Sequence, residues 1–169
     1  LSCARMKGEE PLVVLLDHIQ DPQNLGAVLR VVDATGGHGV ILPKDRSASL
    51  TAAVGRASAG AWEYVRVARV ASLGSAISEL KDYGLWVAGL DPKAEQLYWE
   101  CDLKGPLAVV AGNEGRGLSK AVRRSCDLML RLPMLGGVRS LNVASALAAV
   151  MYEIRRQRDK ACRGTAGER

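Results

Sequence analysis

The sequence predicts an α/β fold, a mostly parallel sheet flanked by helices, and three observations carry that expectation. Short apolar runs alternate with stretches of helical period along the chain. The apolar runs are nearly continuous rather than alternating in polarity, as in strands buried on both faces. At 169 residues the chain has the length of one domain with a real core, and no internal repeat divides it.

Taken in order, the strands are expected at Leu12 to Leu16, Val40 to Leu42, Tyr64 to Val70, Leu85 to Leu90, Leu107 to Ala111 and Leu128 to Leu132. Helices lie between them. In the first, Leu25 to Thr35, Leu25, Val28, Leu29 and Val32 share one stripe, Arg30 is turned away from it, and Gly36-Gly37 ends the helix. Weaker helices are expected over Ala52 to Trp62, Leu73 to Tyr83 and Leu118 to Arg124. The last helix is the clearest, with Ala144, Leu147, Ala148, Met151 and Arg155 at helical spacing and a basic exit. Both ends, residues 1–10 and 159–169, are expected to fray, the stretch from Arg163 most of all.

Hydrophobic residues make up 48% and charged residues 24%, the balance of a soluble globular protein rather than a disordered or fibrous one. No apolar run approaches the roughly 18 residues of a membrane span, and no export signal opens the chain, so no membrane association and a cytoplasmic location are expected. Cys3, Cys101, Cys126 and Cys162 are scattered without paired spacing, which speaks for reduced thiols and against a zinc site or a disulfide framework. His18 and His38 lack ligand partners at useful spacing, so no metal is expected and both read as structural or solvent-facing. The net charge of +5 points to a polyanionic partner, nucleic acid first. With aromatics at 4% and no Phe, contact would rest on Lys, Arg and backbone rather than on base stacking.

Chemistry in an open α/β sheet belongs to the loops past the carboxyl ends of the strands. Three polar clusters stand at such places. The first runs from Asp17 through Asn24 and Gly26 to Arg30, where Asn24 is readable as a helix cap and Arg30 as a surface charge. The second, Gly112-Asn113-Glu114-Gly115-Arg116-Gly117-Leu118-Ser119, follows a strand and opens a helix. It satisfies a phosphate loop at Gly112, Gly117 and Ser119 but places Leu118 where the phosphate-neutralising Lys is required, which disfavours a nucleotide hydrolase. No strand is followed by G-x-G-x-x-G, so a classical dinucleotide-type sheet is disfavoured too. The third, Leu132 to Ser145, precedes the final helix. Ser140 or Asn142 is its natural N-cap, and Gly136 and Gly137 would allow backbone conformations that a Cβ forbids.

Together the clusters resemble the three motifs of the SpoU/TrmH family (SPOUT superfamily) of RNA 2′-O-ribose methyltransferases: N-x-G-x-x-x-R, G-N-E-G-x-G-L and L-P-M-x-G-x-V-x-S-L-N-V-A-S-A. The resemblance spans Val14 to Arg158, and Ser58-Ala59-Gly60-Ala61 and the variant Ser140-Leu141-Asn142-Val143 look closest to the RlmB-type 23S rRNA guanosine branch. It implies a carboxyl-terminal deep trefoil knot, which general topology rules would reject. It implies S-adenosylmethionine in the knotted loops on Gly112, Leu132 and Leu141, with Met134 and Leu90 as neighbours. It implies catalytic tasks for Arg30, Asn24, Glu114, Ser140 and Asn142, RNA contacts from Arg30, Arg139, Arg123 and Arg124, and a homodimer whose site borrows from the partner. Arg155, Arg156 and Arg158 are further candidate phosphate contacts. The RNA implied is rRNA before tRNA, and relatives of that branch carry an amino-terminal RNA-binding domain, so this chain is expected to be a catalytic domain only. A knotted RNA-binding module without catalysis is the other reading, disfavoured because every polar motif position is filled.

Overall fold

The computed structural model describes residues 1–113 and 115–166, with side chains for 1, 4–6, 8–113 and 115–160. The strands are β1 (Leu12–Asp17), β2 (Gly39–Pro43), β3 (Val67–Val70), β4 (Trp86–Leu90), β5 (Gln96–Leu97), β6 (Leu107–Gly112) and β7 (Leu128–Arg131). They form one sheet in the order β3-β2-β1-β6-β4-β7-β5, every pairing parallel. The helices are α1 (Ser2–Lys7), α2 (Pro22–Ala34), α3 (Ala52–Ala57), α4 (Leu73–Asp82), α5 (Lys120–Ser125) and α6 (Val143–Ala166).

Both faces of the sheet are covered, which is why its central strands are apolar throughout. On one face Leu12, Val14, Leu16, Val109 and Ala111 pack with Leu25, Val28, Leu29 and Val32 of α2 and Leu147, Val150, Met151 and Ile154 of α6. On the other, Val13, Leu15, Ala108 and Val110 meet Leu73, Ile77 and Leu80 of α4 and Val122 of α5. The stripe read from α2 is therefore its core face, and Arg30 is exposed as expected.

Several boundaries differ from the sequence expectation. The expected strand over Tyr64 to Val70 shrinks to Val67–Val70, and the expected helix over Ala52 to Trp62 stops at Ala57. The buried Ser58 hydroxyl donates to the Gly55 carbonyl at 2.9 Å, and Ala59 and Gly60 take left-handed φ values of 49° and 88° that a helix cannot contain. Strand β5 is only two residues, too short for a periodicity. Helix occupies both ends where fraying is expected: α1 spans Ser2–Lys7, and α6 runs to Ala166. Residues 167–169 of the expected tail lie outside the described residues. No helix among the described residues is long and apolar enough to cross a membrane.

Candidate functional site

The parallel register lines up the strand ends from which the polar loops leave. Asp17 of β1 pairs with Gly112 of β6, Gly89 of β4 with Val110 of β6, and Leu90 of β4 with Leu130 of β7. The loops after β4, β6 and β7 thus start side by side along one edge, although they lie far apart in the chain.

The loop after β6 is a tight backbone structure. The Gly117 amide donates to the Asn113 carbonyl at 2.7 Å, and the Gly115 amide donates to Asn113 Oδ1 at 2.9 Å. Gly117 sits at φ +65°, which suits glycine. A Cβ on Gly112 would lie 2.2–2.5 Å from Gly117 C, Gly117 O and Leu118 N, so the turn folds directly onto Gly112. This turn is stitched to β1 twice: Asn113 Nδ2 donates to the His18 carbonyl at 3.3 Å, and the Ser119 amide donates to Asp17 Oδ2 at 2.7 Å. Asp17 is 1% exposed, and its Oδ1 also holds His18 Nδ1 at 2.6 Å. The Asp17 carboxylate is thereby met on both oxygens, as burial of a charge requires.

Helix capping decides which asparagines remain for other work. Asp21, not Asn24, caps α2, with Oδ1 accepting from the Gln23 amide at 3.0 Å and Pro22 in the first turn. Asn142, not Ser140, stands at the start of α6, with Oδ1 accepting from the Ala144 amide at 2.9 Å. Its Nδ2 donates to Asn24 Oδ1 at 2.8 Å. One amide therefore caps the last helix and ties the third polar cluster to the first.

Past the strand ends lies a cavity of about 470 Å³. All five residues expected at the cofactor, Leu90, Gly112, Leu132, Met134 and Leu141, line it, together with Ser140, Arg139 and Arg123. Arg123 is ion-paired to Asp91 on the loop after β4, so its charge is already committed there. Asn24 and Asn142 stand beside this group through their mutual hydrogen bond, outside the lining. Glu114 lies outside the described residues. Arg30 and Arg124 are exposed and line no part of the cavity.

Two arginines and a glycine pair depart from expectation. Arg158 is no surface phosphate contact: it is 9% exposed and donates to the carbonyls of Glu10, Pro11 and Gly105 at 2.7, 3.2 and 2.8 Å. Burial and the neighbouring Arg155 charge push its pKa down. Arg156 is paired with Glu153 at 2.6 Å. Gly136 and Gly137 have no left-handed φ, and a Cβ on either would meet no atom within 4 Å, so neither uses the freedom glycine gives. Sequence reasoning misses the parts played by Asp17, Asn113 and Asp91. A carboxylate ending an otherwise apolar strand is the available signal for Asp17. Burial pushes the Cys126 thiol up to about 11, so it stays protonated and unreactive at neutral pH. His38 is structural, accepting from the Leu12 amide at 3.1 Å and meeting Glu9 at 3.1 Å.

A doubly covered parallel sheet with a largely apolar cavity past its strand ends defines an α/β ligand-binding domain of the enzyme kind. Comparison of the sequence carries this to a family: residues 11–152 match the model described as the SpoU rRNA Methylase family, and the chain belongs to that family. YacO of Bacillus subtilis, assigned to the TrmH family of tRNA/rRNA methyltransferases, is 43% identical over 156 residues, which is 92% of this chain and 63% of YacO. The SpoU methyltransferase AviRb from Streptomyces viridochromogenes, crystallised with the cofactor AdoMet, superposes with a TM-score of 0.84 at 32% identity, over 89% of this chain and 62% of that one. A structure described as an RNA 2′-O ribose methyltransferase superposes with a TM-score of 0.81 at 34% identity, over 88% of this chain and 57% of that one. The chain thus spans less than two thirds of each of these relatives.

Proposed function

We propose that this chain is the catalytic domain of an S-adenosylmethionine-dependent RNA methyltransferase acting on a ribose 2′-hydroxyl, with a guanosine of 23S rRNA as the favoured target. The observation that carries the proposal is the convergence of Leu90 at the end of β4, Gly112 at the end of β6, and Leu132, Met134, Ser140 and Leu141 from the loop after β7, on one cavity. Its volume of about 470 Å³ falls within the roughly 300–1,000 Å³ typical of small-molecule sites. The donor set suits an amphipathic ligand, with leucine and methionine side chains for apolar parts and loop backbone for polar ones. AviRb with AdoMet, and the 2′-O ribose methyltransferase of the same fold, support the cofactor and the position methylated. A tRNA substrate is the second reading, favoured by the tRNA/rRNA assignment of YacO.

S-adenosylmethionine, when bound, supplies an electrophilic methyl group on a sulfonium. The residues of this chain have to orient the ribose and manage its proton. Asn24 and Asn142 hold each other's amides in fixed orientation, and Ser140 presents a hydroxyl at the cavity wall. Arg30 is the residue assigned to the phosphate beside the target ribose and to the charge developing on its oxygen. A guanidinium, with a pKa above about 12, is a poor proton acceptor, so solvent or phosphate takes the proton. Glu114 is assigned to fixing the geometry of its loop.

Two further features belong to the proposal. The carboxyl-terminal segment is knotted, a reading supported by β7 lying between β4 and β5 and by its following loop entering the cavity built by β4 and β6. The protein works as a homodimer. Leu135, 95% exposed, and Tyr152, 57% exposed, with Val138 and Leu141, form apolar surface for that contact.

Calorimetry with S-adenosylmethionine against ATP, followed by mass mapping of ribose methylation on rRNA and tRNA, tests the assignment. Binding of the methyl donor alone and a methylated ribose are expected; ATP binding without response to the methyl donor would reverse it. In the same assay Arg30→Lys, which keeps charge but loses the planar fork, is expected to lower turnover at least about tenfold.

A further inference from the structure

A second cavity, of about 410 Å³, opens on the other side of the loop after β6. Asp17, His18, Gln20, Arg46, Asn113 and Arg116 line it, and Asn113 and Arg116 line the first cavity as well. Gly117 and Leu118 also line both, so the turn that folds onto Gly112 is a wall shared by two chambers.

Among the described residues, the charge lining the second chamber is unbalanced. The one carboxylate among them, Asp17, is buried and already satisfied by the Ser119 amide and by His18. The two guanidinium groups, Arg46 and Arg116, are exposed and make no ion pair or hydrogen bond among the described residues. With Nδ1 directed at Asp17, the His18 ring has Nε2 left for a ligand, and the side chain is 41% exposed. Both His18 and Arg46 adopt left-handed backbone, at φ 60° and 54°, although neither is glycine. Such conformations cost energy and concentrate where a side chain must be aimed. Two unpaired guanidinium forks flanked by Gln20 and His18 are a phosphate-recognition chemistry.

We propose that this chamber binds a backbone phosphate of the RNA strand whose ribose is presented at the first cavity. The inference rests on the RNA reading given above. Each ribose in RNA lies between two phosphates, so a strand delivering a ribose to one side of the shared wall brings an anion close to the other. The chamber would then set which nucleotide stops at the methyl donor, a positioning task separate from cofactor binding.

Arg46 is the residue to change, because it faces only the second chamber. Binding of a fluorescein-labelled RNA hairpin of mixed sequence is measured across a salt series for the unaltered chain, Arg46→Gln and Arg46→Lys, beside calorimetry with S-adenosylmethionine. Arg46→Gln is expected to weaken RNA binding about fivefold or more and to lower the slope of log affinity against log salt by about 0.7–0.9. Arg46→Lys should restore most of that slope, and affinity for the methyl donor should not move. An unchanged slope in Arg46→Gln, or loss of methyl-donor affinity with it, overturns the proposal. Displacement of the hairpin by millimolar inorganic phosphate would make the chamber a small-anion site and overturns it equally. Should the unaltered chain bind the hairpin but not the methyl donor, the methyltransferase reading fails while the salt series still decides the phosphate site.

Discussion

A methyl group added at Gly112 would meet three backbone atoms at 2.2–2.5 Å, and backbone cannot step aside as a side-chain tip can. The turn carrying Asn113, Arg116 and Gly117 would have to lift. Gly112→Ala is therefore expected to lower affinity for S-adenosylmethionine at least about tenfold, or roughly 1.4 kcal/mol, while the circular-dichroism melting curve shows the sheet intact. Unchanged affinity in calorimetry would mean that the turn does not shape the cavity. Asn142 shows why residue roles are only partly legible in sequence. Capping preference alone cannot choose between Ser140 and Asn142, nor show that the chosen amide spends its donor on Asn24 across 118 positions. Glycine misleads in the other direction: Gly112 needs the missing side chain, whereas Gly136 and Gly137 stand in open space.

At the scale of elements, α6 is anchored by a charge. Arg158 reaches back to the carbonyls of Glu10 and Pro11 at the start of β1 and of Gly105 before β6, clamping the last helix onto the approaches of two central strands. Arg158→Ala would remove three charge-assisted hydrogen bonds, leaving the Pro11 carbonyl only the Leu107 amide, and would empty the buried place that the side chain fills. The expected loss is about 3 kcal/mol, read as a thermal midpoint lower by roughly 6–12 °C; a midpoint within about 2 °C of the parent would show the clamp to be idle. Basic residues on a helix look alike in sequence whether they face solvent, as Arg30 does on α2, or turn inward, as Arg158 does. The central strands and the α2 stripe are legible because burial on both faces leaves continuous apolar runs. Strand β5 and helix α1 are not, since two and six residues carry no usable period. Left-handed backbone at Ala59, a residue that ordinarily favours helix, ends α3 earlier than the pattern suggests.

For the whole molecule, the sequence motifs locate the cavity and the register of the parallel sheet explains why: motifs at strand ends become neighbours once those strands pair. Arg30, like Asn24, Asn142 and Arg124, is outside the cavity lining of its own chain, and it is exposed on α2. If a partner subunit supplies it, mixing Arg30→Ala with Gly112→Ala, each impaired alone, is expected to raise methylation above that of either variant; a mixture no better than the two separately would place Arg30 with the cavity of its own subunit. The strand order has a consequence for the emerging chain. Strand β7 takes its place between β4 and β5, both of which precede it. Until synthesis has passed Ala146, the chamber lacks the wall made by Leu130, Leu132 and Ser140, and Asn24 has no Asn142 to hold it. A nascent polypeptide thus carries every strand of the flank β3-β2-β1-β6 before the first cavity has its last wall, and that cavity is complete only once the start of the final helix has emerged.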